Sequence, residues 1–285
     1  MAGGLMRDLI ALARPRQWIK NGFVLAPLLF SGSFAEPDQV RRALVATLVF
    51  CVASAAAYVL NDLLDLEADR LHPIKKARRP LAAGRVSRRQ AVWLLWSLWL
   101  AVAASAMLTP RPGLVAVAYV ALTAAYSLKL KHVPVVDLFV LSAGFVLRVF
   151  AGARAIDVVL SPWMLITTLS LALYLAANKR REELTAHGGA GRRVLGTYTP
   201  ALLARYADWA AVGAMVFYCL FVVTVRPALA ASVPLVLFGL FRYAYRVEAA
   251  GEGESPTDVV WGDRVLLLTV VAWAALCVAQ LRAVQ

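Results

Sequence analysis

Long apolar runs alternate with short charged connections along the whole chain. Nine such runs, at 18–35, 41–61, 91–109, 112–128, 134–153, 161–178, 203–225, 228–246 and 264–281, are long enough or nearly long enough for a helix to cross a hydrocarbon layer. None alternates apolar and polar residues strictly over ten positions, so a membrane barrel is excluded. The pattern predicts an all-α, polytopic membrane protein of about nine transmembrane helices, forming one domain over residues 1–285. The first run is interrupted by Pro27 and Gly32. The twenty residues at the start, MAGGLMRDLIALARPRQWIK, contain neither a long apolar core nor a small-residue cleavage site. They are expected to be an interfacial segment leading into the first span, not a cleaved signal.

Composition supports a membrane chain. Of the 285 residues, 61% are hydrophobic and only 16% charged, against roughly 25% charged in soluble domains. The net charge of +13 would suit a nucleic-acid binder, but the basic residues lie in short loops between apolar runs, which excludes that class. With nine spans and a cytoplasmic N-terminus, most of the 30 lysines and arginines fall on the inward side, at 7–20, 70–89, 129–131, 179–205 and 242–264. The positive-inside rule therefore places the N-terminus in the cytoplasm and the C-terminus outside. Cys51, Cys219 and Cys277 each sit alone in an apolar run and read as small packing residues. A homo-oligomer fits the sequence as well as a monomer does, because a lipid-facing surface is apolar by necessity.

Chemistry concentrates at the end of the second run, in NDLLDLEADRLHPIKKARRP at 61–80. Asp62, Asp65 and Asp69 stand at i, i+3 and i+7, a spacing that puts three carboxylates on one face of a continuing helix, with Asn61 beside them. Three like charges in one stripe repel unless a cation sits among them. Oxygen ligands suit a hard ion, Mg²⁺ first, which characteristically shares its coordination with substrate phosphates. Arg70, His72, Lys75, Arg78 and Arg79 follow directly and suit those phosphates. Lys76, Arg85, Arg88 and Arg89 read instead as contacts to anionic head groups.

Further groups lie elsewhere on the inward side. YLAANKRREEL at 174–184 holds Lys179, Arg180 and Glu183, whose i, i+4 pairs also allow a self-neutralising helix end. YSLKLKHVPVVD at 126–137 offers Tyr126 and Lys129, RPRQWIKN at 14–21 offers Lys20 and Asn21, and the GTYTP turn offers Tyr198. Arg148 falls inside the fifth run, where a charge is costly and points to an internal partner or an anionic ligand.

The Asn-Asp-x-x-Asp-x-x-x-Asp-Arg pattern with its basic run resembles the first aspartate-rich motif of the UbiA superfamily of intramembrane prenyltransferases, and the span count is similar too. DRLHPIKKARRPLAAG, LKHVPVVDLFVLSAGFVLR and KRREEL resemble the branch that joins 5-phosphoribosyl 1-diphosphate to a long polyprenyl phosphate with Mg²⁺ and loss of diphosphate. The resemblance implies a UbiA-like bundle in a bacterial inner membrane, working on its cytoplasmic face toward a lipid-linked pentose donor for the cell envelope. It implies Asp62, Asp65 and Asp69 as catalytic metal-binding residues with Asn61, and Lys75 with Arg78 or Arg79 at the leaving diphosphate. Lys179 and Arg180 would meet the 5-phosphate, with Lys20 and Lys129 as further phosphate contacts. The second aspartate motif of prenyltransferases is replaced here by NKRREEL, which counts against an aromatic prenyl acceptor. Transfer of a prenyl group to a quinone or tetrapyrrole precursor is the alternative reaction. A lipid-phosphate transporter is the alternative of another class.

Overall fold

Lipid offers no partner to a backbone N–H or C=O, so an apolar run long enough to cross a membrane folds as a helix that satisfies its own backbone. The computed structural model describes residues 2–71, 73–187, 193–251 and 255–284, and no strand occurs among them. Helix α1 (Ala2–Leu12) precedes a 3-10 segment, Pro15–Leu25, and the short α2 (Ala26–Ser31). The long α3 (Pro37–Leu64) is followed by two short helices, α4 (Leu66–Leu71) and α5 (Pro73–Arg78). Then come α6 (Arg88–Leu108), α7 (Pro110–Leu128), α8 (Val136–Ala155) and α9 (Pro162–His187). The chain ends with α10 (Pro200–Val225), α11 (Val233–Ala250), α12 (Pro256–Gly262) and α13 (Arg264–Arg282).

The starts are written locally. Proline opens α3, α7, α10 and α12, where its missing N–H costs nothing. Ser87 and Gln90 cap α6 reciprocally, and the Asp263 side chain accepts from the Leu266 N–H at the head of α13.

Among the described residues, seven helices are long and apolar enough to cross a membrane: α3, α6, α7, α8, α10, Pro227–Ala249 and α13. Two expected runs take other forms. Helix α9 has the length, at 26 residues, but its last turns carry Asn178 to Glu183. Residues 18–35 do not make one helix. They run through the 3-10 segment into α2, which Gly32 ends at φ 86.

Half of the apolar stretch of α3 and of α8 is buried, against 17% of that of α6, so the first two form the centre and α6 faces outward. The 3-10 segment is wedged between α3 and α8. A side chain at Gly152 would fall on the Val24 carbonyl oxygen, so the close approach requires glycine there. Phe50, Val102, Val115, Tyr119 and Ala151 close around Val24. Short connections make successive long helices antiparallel, which gathers the C-terminal ends of α3, α7, α9 and α11 with the starts of α6, α8, α10 and α13. At the opposite end Asp38 pairs with Arg41 and Arg42, and Asp157 with Arg42 and Arg111.

Candidate active site

Helix α3 does not carry the aspartates through as one stripe. It stops at Leu64, Asp65 takes the capping position at φ −93 and ψ 7, and α4 restarts at Leu66. The expected single face is therefore corrected: the break turns Asp65 away while Asp62 and Asp69 stay together. Those two are buried, 2% and 4% exposed, and share Arg79, which lies 3.2 Å from Asp62 and pairs with Asp69. Asp62 also pairs with Arg14. Asp65 accepts from the Lys131 ammonium at 2.6 Å. The Asn61 backbone carbonyl accepts the Asp65 N–H at 2.9 Å, an ordinary helical bond that carries α3 up to the break.

The basic run sorts by direction. Arg79 turns inward onto the carboxylates, whereas Arg78 and Lys76 are exposed. Arg70, expected at a phosphate, is exposed and pairs with Glu67 at 3.2 Å, because the α4 turn points it outward. His72 and the Lys75 side chain lie outside the described residues.

Through Arg14, the carboxylates adjoin a group of further cations. The like charges of Lys179, Arg148 and Arg14 act on Lys20, and Asp258 opposes them. Arg148 is buried, and no carboxylate pairs with it among the described residues. It donates to Asn21 Oδ1, the Gly144 carbonyl and Tyr119 Oη, each at 2.9 Å, and lies over the Tyr119 ring. Asn21, expected as a substrate contact, is fully buried and committed to Arg148, Ser54 and the Cys51 sulfur. Its part is to hold the 3-10 segment against α3 and α8.

The end of α9 differs from expectation as well. Arg180, assigned to a phosphate, is 1% exposed and enclosed by Asp137, Glu183 and Tyr126, with Asp137 at 3.3 Å and the Tyr126 hydroxyl also at 3.3 Å. A guanidinium held by two carboxylates has little left for a ligand. Glu183 and Tyr126 are thereby engaged with the protein. Lys179 lies 3.9 Å from Glu183, and its charge also acts on Lys20. The Tyr198 hydroxyl donates to Asp137 Oδ1 at 2.7 Å and accepts the Val135 N–H at 2.6 Å. Lys129 is exposed at the end of α7.

Three residues that join these clusters were not singled out in the sequence: Arg14, Lys131 and Asp137. Lys131 had a visible signal, its place two residues after Lys129. Residues 130–132 form a 3-10 turn, however, so a 3.6-residue period could not say which lysine faces Asp65.

Among the described residues, no group of three or more His, Cys, Asp or Glu is close enough to cage a metal alone. Asp62 and Asp69 share one cation, and Asp65 with Asn61 lies one turn away. That all-oxygen set fits a hard divalent ion held by one or two carboxylates and completed by ligand phosphates.

Comparison with known proteins follows the same lines. Residues 24–259 match the UbiA prenyltransferase family. The decaprenyl-phosphate phosphoribosyltransferase of Mycolicibacterium smegmatis is 36% identical, with 94% of this chain and 91% of the relative covered. The protein of the same name from Mycobacterium tuberculosis is 36% identical, with 95% and 93% covered. A UbiA homolog from Archaeoglobus fulgidus, solved bound to GPP and Mg²⁺, superposes with a TM-score of 0.75 over 96% of this chain and 99% of that one. At 18% identity this is a likeness of fold.

Proposed function

The chain belongs to the UbiA prenyltransferase family, and on that premise we propose that it transfers 5-phosphoribose from 5-phosphoribosyl 1-diphosphate to a polyprenyl phosphate of decaprenyl type, releasing diphosphate. The observation that carries this reading is the group of cations, Lys20, Lys179, Arg148 and Arg14, that adjoins the aspartate cluster through the Arg14–Asp62 pair. A prenyl diphosphate has phosphates at one end only, whereas the phosphoribosyl donor carries a further phosphate at the far side of its sugar. The identity to two decaprenyl-phosphate phosphoribosyltransferases over nearly the whole chain supports the same donor.

Asp62 and Asp69, with Asp65 and Asn61, would hold Mg²⁺. When bound, the ion draws charge from the diphosphate oxygens. Arg79 and Arg14, already at the carboxylates, neutralise the leaving diphosphate. Lys20 and Lys179 receive the 5-phosphate, with Lys129 as a further phosphate contact. A polyprenyl-phosphate oxygen attacks the sugar's C1 as the bond from C1 to the diphosphate oxygen breaks, and the electron pair leaves with diphosphate. A phosphate monoester is largely ionised at pH 7, its second pKa being about 6, so no general base is needed.

We further propose that α9 and the broken segment 18–35 complete nine crossings in one transmembrane domain over residues 1–285. The N-terminus and the site would face the cytoplasm of a bacterial inner membrane.

The test is incubation of the purified protein in lipid nanodiscs with 5-phosphoribosyl 1-diphosphate, Mg²⁺ and decaprenyl phosphate, followed by mass spectrometry of the lipid. The expected product carries one added phosphoribosyl group, with diphosphate released in equal amount. Consumption of a polyprenyl diphosphate with an aromatic acceptor instead, or no diphosphate release at all, overturns the reading.

A further inference from the structure

Val135, near the site, is a non-glycine residue with positive φ. Its φ of 68 and ψ of −45 lie close to the centre of a γ-turn of the rare, strained hand. A β-branched residue with positive φ is an outlier, because its Cβ crowds the neighbouring carbonyl. Such conformations persist only where the surroundings over-determine them, and they gather at functional sites. Here the surroundings are specific. The Tyr198 hydroxyl accepts the Val135 N–H at 2.6 Å and donates to Asp137 Oδ1 at 2.7 Å. Asp137 is fully buried and held from its other side by Arg180. One phenol thus ties the strained turn to a buried carboxylate that Arg180 also holds.

On the other side of that turn the chain carries Lys131, whose ammonium holds Asp65 at 2.6 Å. Lys131 is only 12% exposed and sits in a three-residue 3-10 turn between α7 and α8. Such a short connection has few shapes. If Val135 relaxes to an ordinary β or α conformation, residues 129–134 must reorient and Lys131 leaves Asp65.

We propose that Tyr198, Asp137 and Val135 form a positioning clamp that aims Lys131 at Asp65 and so sets the diphosphate end of the site. Arg180 serves the clamp by neutralising Asp137, which explains why a charged residue at the ligand end of α9 is enclosed. Tyr198 and Asp137 touch no ligand in this scheme; they act through Lys131. The inference rests on the reading of the aspartate cluster as a diphosphate site, and it does not depend on which donor carries that diphosphate.

The test therefore uses inorganic diphosphate with Mg²⁺, measured by calorimetry on the detergent-purified full chain, beside donor KM and kcat. Tyr198→Phe removes both hydrogen bonds and keeps the ring. Diphosphate affinity is expected to fall about tenfold, the worth of one charge-assisted contact, with donor KM rising in parallel and kcat changing less. Lys131→Gln gives a similar loss, and the Tyr198→Phe/Lys131→Gln double variant is no worse than Lys131→Gln alone. Adding Val135→Gly to Tyr198→Phe restores most of the affinity, since glycine holds φ 68 without the phenol. Losses that multiply in the Tyr198/Lys131 double variant overturn the clamp, because the two residues then act independently. So does failure of Val135→Gly to restore affinity. If Tyr198→Phe alone yields no folded protein, Val135→Gly in that background must recover it, or the clamp is again refuted. Loss of phosphoribosyl transfer with the diphosphate pattern intact would instead count against the proposed donor alone.

Discussion

Arg78 and Arg79 are neighbours of identical chemistry, and the structure gives them opposite fates. Replacing Arg79 by Gln removes a guanidinium that is 20% exposed and lies between two carboxylates, Asp62 at 3.2 Å and Asp69. At that distance and an effective dielectric constant of 20, the attraction to Asp62 alone is about 5 kcal/mol before desolvation. Breaking a fully buried pair costs roughly 3–5 kcal/mol. Arg14 remains with Asp62 and the mouth is partly wet, so the expected loss is about 2 kcal/mol, most of it at Asp69. Arg78→Gln touches no partner among the described residues and should lie within about 0.5 kcal/mol of wild type. Equilibrium unfolding in mixed micelles separates the two. Transfer kinetics should separate them further, because losing one preorganised cation at a leaving group costs about a hundredfold in rate. If the two variants unfold alike and turn over alike, the inward orientation of Arg79 is wrong, and with it the shared-cation account of Asp62 and Asp69.

Asp62→Asn and Asp65→Asn should each abolish most lipid-linked label from radiolabelled 5-phosphoribosyl 1-diphosphate, and near-normal transfer by both would remove them from metal binding. Gly152→Ala puts a methyl group on the Val24 carbonyl oxygen. It should destabilise the protein by about 1–3 kcal/mol as an overpacked contact and raise donor KM, because the displaced 3-10 segment carries Lys20; an unchanged KM would show that the segment does not position Lys20 for the donor. At the head of α13 the hydrogen bond from Arg242 holds the Asp263 carboxyl below its ordinary value of 3.8. A depressed folded pKa adds stability above that value and loses it as pH falls through the folded pKa. Asp263→Asn should therefore unfold more readily than wild type at pH 7, with the gap closing below pH 3.8.

The membrane helices were legible because lipid leaves them little freedom: an apolar run must satisfy its own backbone, and its length marks its limits. The runs at 41–61, 112–128 and 134–153 correspond to Pro37–Leu64, Pro110–Leu128 and Val136–Ala155. The segment at 18–35 was not legible as a 3-10 stretch, since its shape depends on Gly152, more than a hundred residues away. The site was legible in composition and less so in direction. Carboxylates and cations at 61–80 announced a metal and phosphates, yet the break at Asp65 and the choice of Arg79 over Arg78 come from long-range pairing. Arg180 shows the limit most clearly. The family resemblance implied a phosphate contact, and only the fold brings Asp137 against it.

The far end of the bundle, where Asp38 and Asp157 are occupied by Arg41, Arg42 and Arg111, has a consequence for traffic across the bilayer. The carboxylates there are exposed and already paired, and among the described residues no buried acid lies at that end to hold a metal with its phosphates. A lipid whose head has gained a sugar and a phosphate becomes more costly to carry through hydrocarbon. The product must therefore leave sideways into the leaflet where it was made. If its pentose is needed on the opposite surface, a separate carrier has to turn the lipid over.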